Sequence, residues 1–257
     1  MGKLLEKLRR AVRPEAPRPL GFGRVPTVTV RVPPIVLIGR LEIWNPDLVG
    51  RLKAAGIDTL ILPGGEGPPE AEALAGLTWG VELAGAPTAE LVGRYLAAGA
   101  DFVLLDPTAP VELLGPEGGR YLRLTPDFPD GLLRSLDLLP VEGFCLRVPA
   151  GAEPLTVSDL TVFLKFAAVS RKPVLYEPGG LPSPAQLPAL REAGVVGLVV
   201  PAAADRLEEL GRLQEAADKL PRRRAAGPEE PVVTVPPPAA PAPTPAVPTP
   251  EPDEDEE

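Results

Sequence analysis

Four ionisable side chains stand at or near the ends of apolar runs: Glu82 after WGV, Asp106 after FVLL, Arg147 after GFCL, and Glu177 after VLY with Tyr176 beside it. Carboxylates in such positions act as acid and base where burial separates their pKa values, and an arginine beside them pairs with one or binds an anion. Glu82, Asp106, Arg147 and Glu177 are therefore the candidate catalytic residues, with a purely structural ion-pair network as the competing reading. Two glycine pairs, Gly64-Gly65 in PGGEG and Gly179-Gly180 in EPGG, follow apolar runs and are candidates for cofactor binding through backbone N–H groups. PGGEG lacks the third glycine of a dinucleotide fingerprint and the Lys-Ser/Thr of a P-loop, so a flexible loop across a site is its alternative use.

What the chain lacks narrows the chemistry further. Among 257 residues there is no histidine and one cysteine, Cys145. Ser-His and Cys-His nucleophile pairs cannot be built, and no disulfide or His/Cys-built metal centre is available, so no metal is expected. Cys145 lies inside an apolar run and reads as core. No lysine falls at the inner end of such a run, which argues against Schiff-base chemistry. Asn, Gln, Cys and Met are scarce and prolines number 37, a bias shared by heat-adapted proteins and by GC-rich genomes.

The elements that must position these residues repeat. Eight short apolar segments run through the chain: Ile35–Gly39, Thr59–Leu62, Trp79–Leu83, Phe102–Asp106, Tyr121–Thr125, Phe144–Val148, Val174–Glu177 and Gly197–Pro201. Between them fall predicted helices at Pro46–Ala55, capped by Asn45, at Pro68–Gly76, and after Thr88 to Ala98. Further helices are predicted at Pro129–Leu138, at Val157–Val169 capped by Thr156 or Ser158, at Pro184–Ala193 ended by Gly194, and at Asp205–Leu220. The fourth return, PTAPVELLGPEGG, allows little more than one or two turns. This alternation predicts an α/β fold, a single (β/α)8 TIM barrel over residues 25–224, with its site among the loops that follow the strands. Two small doubly wound domains are the alternative.

Within that frame, KPVLYEPGGLPSPAQLPALREAGVVGLVV, from Lys172 to Val200, resembles the last two units of the phosphate-binding (βα)8 barrels, a group that includes flavin oxidoreductases and indole-glycerol-phosphate-synthase-like enzymes. The resemblance implies a phosphate or FMN held by Gly179 and Gly180. The second half of that group's cradle is replaced here by Pro201, Ala202 and Ala203, and a proline removes one N–H donor.

The ends of the chain differ from its middle. Residues 1–24 comprise a short helix followed by a Pro-rich connector and carry a net charge of +5; residues 225–257, Pro- and Ala-rich and closing in EPDEDEE, carry −8 and are predicted to be disordered. Residues 1–13 form an amphipathic helix with Leu4, Leu5, Leu8 and Val12 on one face. It either packs on the barrel or makes a peripheral contact with an anionic membrane. From Pro26 to Pro34, Val28, Val30 and Val32 alternate with polar residues, as in an extended segment. The mildly acidic body argues against nucleic acid, and the absence of a long apolar stretch predicts a cytoplasmic protein, with a peripheral location at the inner membrane face as the variant. Two functions are consistent with these features. One is a barrel that binds a phosphorylated small molecule or flavin at the C-terminal face of its strands. The other is a pseudoenzyme, a catalytically inactive barrel that serves as a scaffold or interaction module.

Overall fold

The computed structural model describes residues 2–12, 33–85, 87–115, 117–148 and 155–221. The Pro-rich connector, most of the alternating segment before residue 34, and the tail from residue 225 lie outside these. The chain divides into two units, Met1–Ala225 and Ala226–Glu257, and every described residue belongs to the first.

Eight parallel strands close a barrel in sequence order. They are β1 (Val36–Arg40), β2 (Thr59–Pro63), β3 (Thr78–Glu82), β4 (Phe102–Leu105), β5 (Gly119–Leu124), β6 (Gly143–Arg147), β7 (Val174–Glu177) and β8 (Val195–Pro201). β8 pairs with β1 along five residues, from Val36 with Gly197 to Arg40 with Pro201, so the sheet has no free edge. The doubly wound alternative is thereby replaced by the single barrel. β1 runs one residue further than its apolar core suggests, and that residue is Arg40.

The outer layer is uneven. Full helices follow five strands: α2 (Pro46–Ala54), α3 (Ala89–Ala97), α5 (Val157–Val169), α6 (Leu187–Glu192) and α7 (Leu207–Lys219), the last two each entered by a 3-10 turn. The side chain of Asn45 caps α2 by accepting from Asp47 N and Leu48 N, Thr88 caps α3, and Thr156 with Asp159 forms a capping box at α5. Gly194 ends α6 at a φ of +91°. The predicted helix at Pro68–Gly76 is only a 3-10 turn, Ala71–Leu74, and that at Pro129–Leu138 shrinks to a 3-10 turn and the single turn α4, Leu133–Leu136. Prolines 68, 69 and 129 and Gly131 account for both losses, because they start chains of turns more readily than they sustain i to i−4 bonding. After β4 there is one short turn, Val111–Leu113, as the crowded loop sequence predicts.

Side-chain parity fills the barrel in layers contributed by alternate strands. Ile38, Gly80, Tyr121 and Leu175 come from the odd strands; above them Ile61, Leu104, Cys145 and Val199 come from the even ones. Gly80 is required by its neighbour: a Cβ there would lie 2.5 Å from the Phe102 ring. Below these layers the floor is closed by α1 (Lys3–Val12), whose Leu4 and Leu8 are fully buried in the same cluster as Ile38, Phe102, Tyr121 and Leu175. Burying two leucines in this way contributes roughly 3–6 kcal/mol. Asp101 accepts from Lys3 N and Leu4 N, both at 2.7 Å, and so caps the helix, while Lys7 Nζ reaches Asp58 at 2.8 Å. The amino-terminal helix thus packs against the barrel floor with Leu4, Leu5, Leu8 and Ala11 buried, while Val12 stays 51% exposed. Among the described residues no helix is long and apolar enough to cross a membrane.

Candidate functional site

The next layer up decides the character of the mouth. Two residues beyond Ile38, Gly80, Tyr121 and Leu175, the odd strands present Arg40, Glu82, Arg123 and Glu177. A barrel layer ordinarily filled by branched apolar side chains is here made of alternating charges. Arg40 Nη1 lies 3.5 Å from Glu82 Oε2, and Glu82 Oε1 lies 2.8 Å from Arg123 Nη2. Arg123 Nε lies 3.4 Å from Glu177 Oε2, and Glu177 Oε1 lies 3.3 Å from Arg40 Nε. The four form a closed ring whose charges cancel. Glu177 and Arg123 are buried at 4% and 8% exposure, so the ring sits within the barrel rather than on it.

Two further charges join from the even strands. Asp106 Oδ1 accepts from Arg123 Nη1 at 3.4 Å, and Arg147 Nε stands 3.6 Å from Glu177 Oε1. Both of these side chains are more than two-fifths exposed, which places them at the rim above the ring. These six, three guanidiniums and three carboxylates, are neutral in sum, and the exposed Glu42 stands outside them with its Oε1 3.8 Å from Arg40 Nη2. Burial works against the charge of Arg123, but Glu177 and Glu82 beside it more than compensate, and its guanidinium holds its proton more firmly than usual.

All four candidate catalytic residues therefore converge, and the structure adds Arg40 and Arg123 to them. Tyr176 does not join: it faces outward, its ring 4.7 Å from that of Phe163 on α5. Cys145 lies directly beneath the ring, fully buried, its Sγ donating weakly to Glu177 Oε2 at 3.9 Å. Burial first, and Glu177 next, push its thiol pKa well up, so it carries no thiolate chemistry.

The glycine loops are engaged differently. Gly64 N donates to Glu82 O at 2.7 Å, and a Cβ at this position would lie 2.7 Å from that same oxygen, so glycine permits a close backbone approach. Gly65 N donates to Tyr95 Oη at 2.8 Å, and that hydroxyl donates to Gly67 O at 2.9 Å. PGGEG is thus clamped to α3 rather than draped over the mouth, and both candidate N–H groups already have partners. Gly179 and Gly180 lie half-buried after β7. Across from them Ala202 N donates to Arg40 O at 2.8 Å, which commits another donor of the loop after β8.

With this geometry in place, comparison with known proteins is informative at one level. No protein-family model matches the sequence, and no curated protein matches it. Among solved structures the chain is similar to variants of the tryptophan synthase alpha-subunit from the hyperthermophile Pyrococcus furiosus. One matches at a TM-score of 0.54 and 16% identity, covering 72% of this chain and 97% of that one. Another matches at 0.56 and 16%, with 71% and 97% covered. A structure of the a2b2 complex from the same organism matches at 0.54 and 14%, with 72% and 96% covered. The likeness is one of fold. This chain has the TIM-barrel fold, and at such identities its function follows from its own residues.

Proposed function

We propose that this protein is a non-catalytic TIM barrel that works as a scaffold or interaction module. The observation that carries this reading is the closed, charge-neutral ring of Arg40, Glu82, Arg123 and Glu177 in the layer where a barrel enzyme places its reacting groups. Acid-base work needs a group whose lone pair or proton faces the substrate. Three guanidiniums crowd the oxygens of Glu177 and two those of Glu82, so both carboxylates are spent on their neighbours.

A second reading has its own support. Gly179 and Gly180 follow β7, Arg147 and Asp106 are part-exposed at the rim, and the fold is like that of the tryptophan synthase alpha-subunit. In this reading a phosphorylated small molecule or a flavin binds over the ring.

Native mass spectrometry of the purified full chain, with a thermal-shift screen of phosphorylated metabolites and FMN, separates the two. The scaffold reading expects an apo mass and no shift across the panel. A co-purifying flavin, or a shift that Gly180→Asp abolishes, would overturn it.

A further inference from the structure

The two ends of this barrel carry unpaired charge of opposite sign. Beyond β1, β2, β3, β5 and β8 the chain exposes Glu42, Glu66, Glu90, Asp127 and Asp205, one after each strand. Glu42 has Arg40 at 3.8 Å, whereas the other four have no hydrogen-bond or ion-pair partner among the described residues. Between a strand's end and the first turn of the next helix, the described residues add further acids, Asp47 and Glu208 among them, and two cations, Arg134 and Arg206.

Around α1 the balance reverses. Carboxylates at the floor are engaged: Glu6 by Arg10, Asp58 by Lys7, Asp101 by the N–H groups of Lys3 and Leu4, and Asp137 by Ser170 Oγ and Arg171 N. Glu142 accepts from Gly2 N through Oε1, and its Oε2 is buried. The side chains of Lys3, of Arg94 in the last turn of α3 and of Arg171 before β7 are exposed and have no partner among the described residues. In sequence, Arg222, Arg223 and Arg224 follow directly on Pro221.

Exposed apolar side chains divide between the same two ends. Ile43, Val111, Leu132 and Val157 stand in segments that follow strands, and Val12 and Leu138 at the floor, which leaves Leu164 alone on a helix flank among the described residues. These facts discriminate between ways of pairing two copies. Mouth to mouth sets carboxylates against carboxylates, floor to floor sets cations against cations, and flank to flank covers little exposed apolar surface. Mouth to floor matches charge and covers both apolar sets.

We infer that copies of this chain stack mouth to floor, with the mouth of one receiving α1 and the floor of the next. Such an interface is heterologous, so each copy keeps a free end and assembly continues past two. The inference rests on the interaction-module reading, and the two fail separately: monomers in sedimentation remove the stack, while the ligand panel above judges the module.

Sedimentation velocity of the full chain across a wide range of concentration tests this at about 10 mM and about 1 M salt, where the screening length is roughly 30 Å and 3 Å. At low salt the weight-average mass is expected to rise beyond twice that of the monomer, and at high salt the affinity should fall at least tenfold. The mouth variant Glu66→Lys with Asp127→Lys, and the floor variant Arg94→Glu with Arg171→Glu, should each self-associate at least tenfold more weakly, because like charges then meet. Mixed in equal amounts, the two variants should regain association, since each supplies the end that the other has lost; a misfolded variant does not rescue. A dimer that grows no further and that the floor variant leaves intact means mouth-to-mouth pairing and overturns the proposal. So does a chain that stays monomeric at low salt, or one whose association the charge reversals leave unchanged.

Discussion

Replacing Arg123 with methionine tests the ring at its most buried cation. At an effective dielectric near 20, the 2.8 Å and 3.4 Å contacts with Glu82 and Glu177 are each worth roughly 5–6 kcal/mol before desolvation. Most of that gain offsets the cost of holding a guanidinium at 8% exposure. Removing the cation takes one guanidinium from Glu82 and Glu177, which keep Arg40, and one from Asp106, and leaves an uncompensated negative charge in the cluster; breaking a buried pair in this way costs about 3–5 kcal/mol. For a domain of this size that corresponds to a fall in Tm of roughly 6–20 °C. Arg123→Met leaves the six-charge cluster at a net −1, and Glu177→Gln alone leaves it at +1, but the double variant is neutral again. The double should therefore recover at least about 1 kcal/mol of the summed losses. Calorimetric melting or urea unfolding of the two single variants and the double closes the cycle. A Tm for Arg123→Met within about 2 °C of the parent, or strict additivity in the double, would refute the ring as a coupled unit.

Three further outcomes are expected. Tyr121 is fully buried and its hydroxyl has no hydrogen-bond partner among the described residues, so Tyr121→Phe should stabilise by about 1 kcal/mol at pH 7 in calorimetry. Burial, then Glu142 and Asp101, hold the Tyr121 phenol well above its ordinary range. Its contribution is therefore complete below pH 10 and lost as pH rises beyond it, and the phenylalanine variant should unfold at a higher alkaline midpoint. Cys145 should resist iodoacetamide at pH 8 in the native protein and react on unfolding in urea, as mass spectrometry would read; fast native alkylation would contradict its burial. Leu8→Ala, which empties the floor contact of α1, should cost about 2–5 kcal/mol in urea unfolding; a loss under 1 kcal/mol would mean that the helix is only loosely seated.

Much of this molecule could be read from its residues, and the omissions have specific causes. The beat of apolar segments located every strand, because a strand in a parallel barrel is buried on both faces and needs a short continuous apolar run. Glu82, Asp106, Arg147 and Glu177 were visible as charges at the ends of such runs. Arg40 and Arg123 were not, since a charge at the edge of or within an apolar run reads as outward-facing. The signal was nevertheless present: Arg40 lies two residues after Ile38 and Arg123 two after Tyr121, the spacing that keeps side chains on one face. Helix lengths were less legible where prolines crowd the loops, as at Pro68, Pro69 and Pro129. The heptad-like face of Leu4, Leu5 and Leu8 declared that something must cover it, but amphipathicity names no partner. Only closure of the sheet creates the floor that receives it.

That last dependence has a consequence for biosynthesis. Helix α1 touches β8, whose first residue lies 183 positions after Val12. At roughly 5–20 residues per second, the interval between making the two is on the order of 10–40 s. Throughout that time the leucines of the plug have no barrel to enter, because its floor does not exist until the final strand emerges. A helix made well before β8 thus seats only after it, and a ribosome stalled before Val195 would display an unsheltered greasy helix for chaperones to hold.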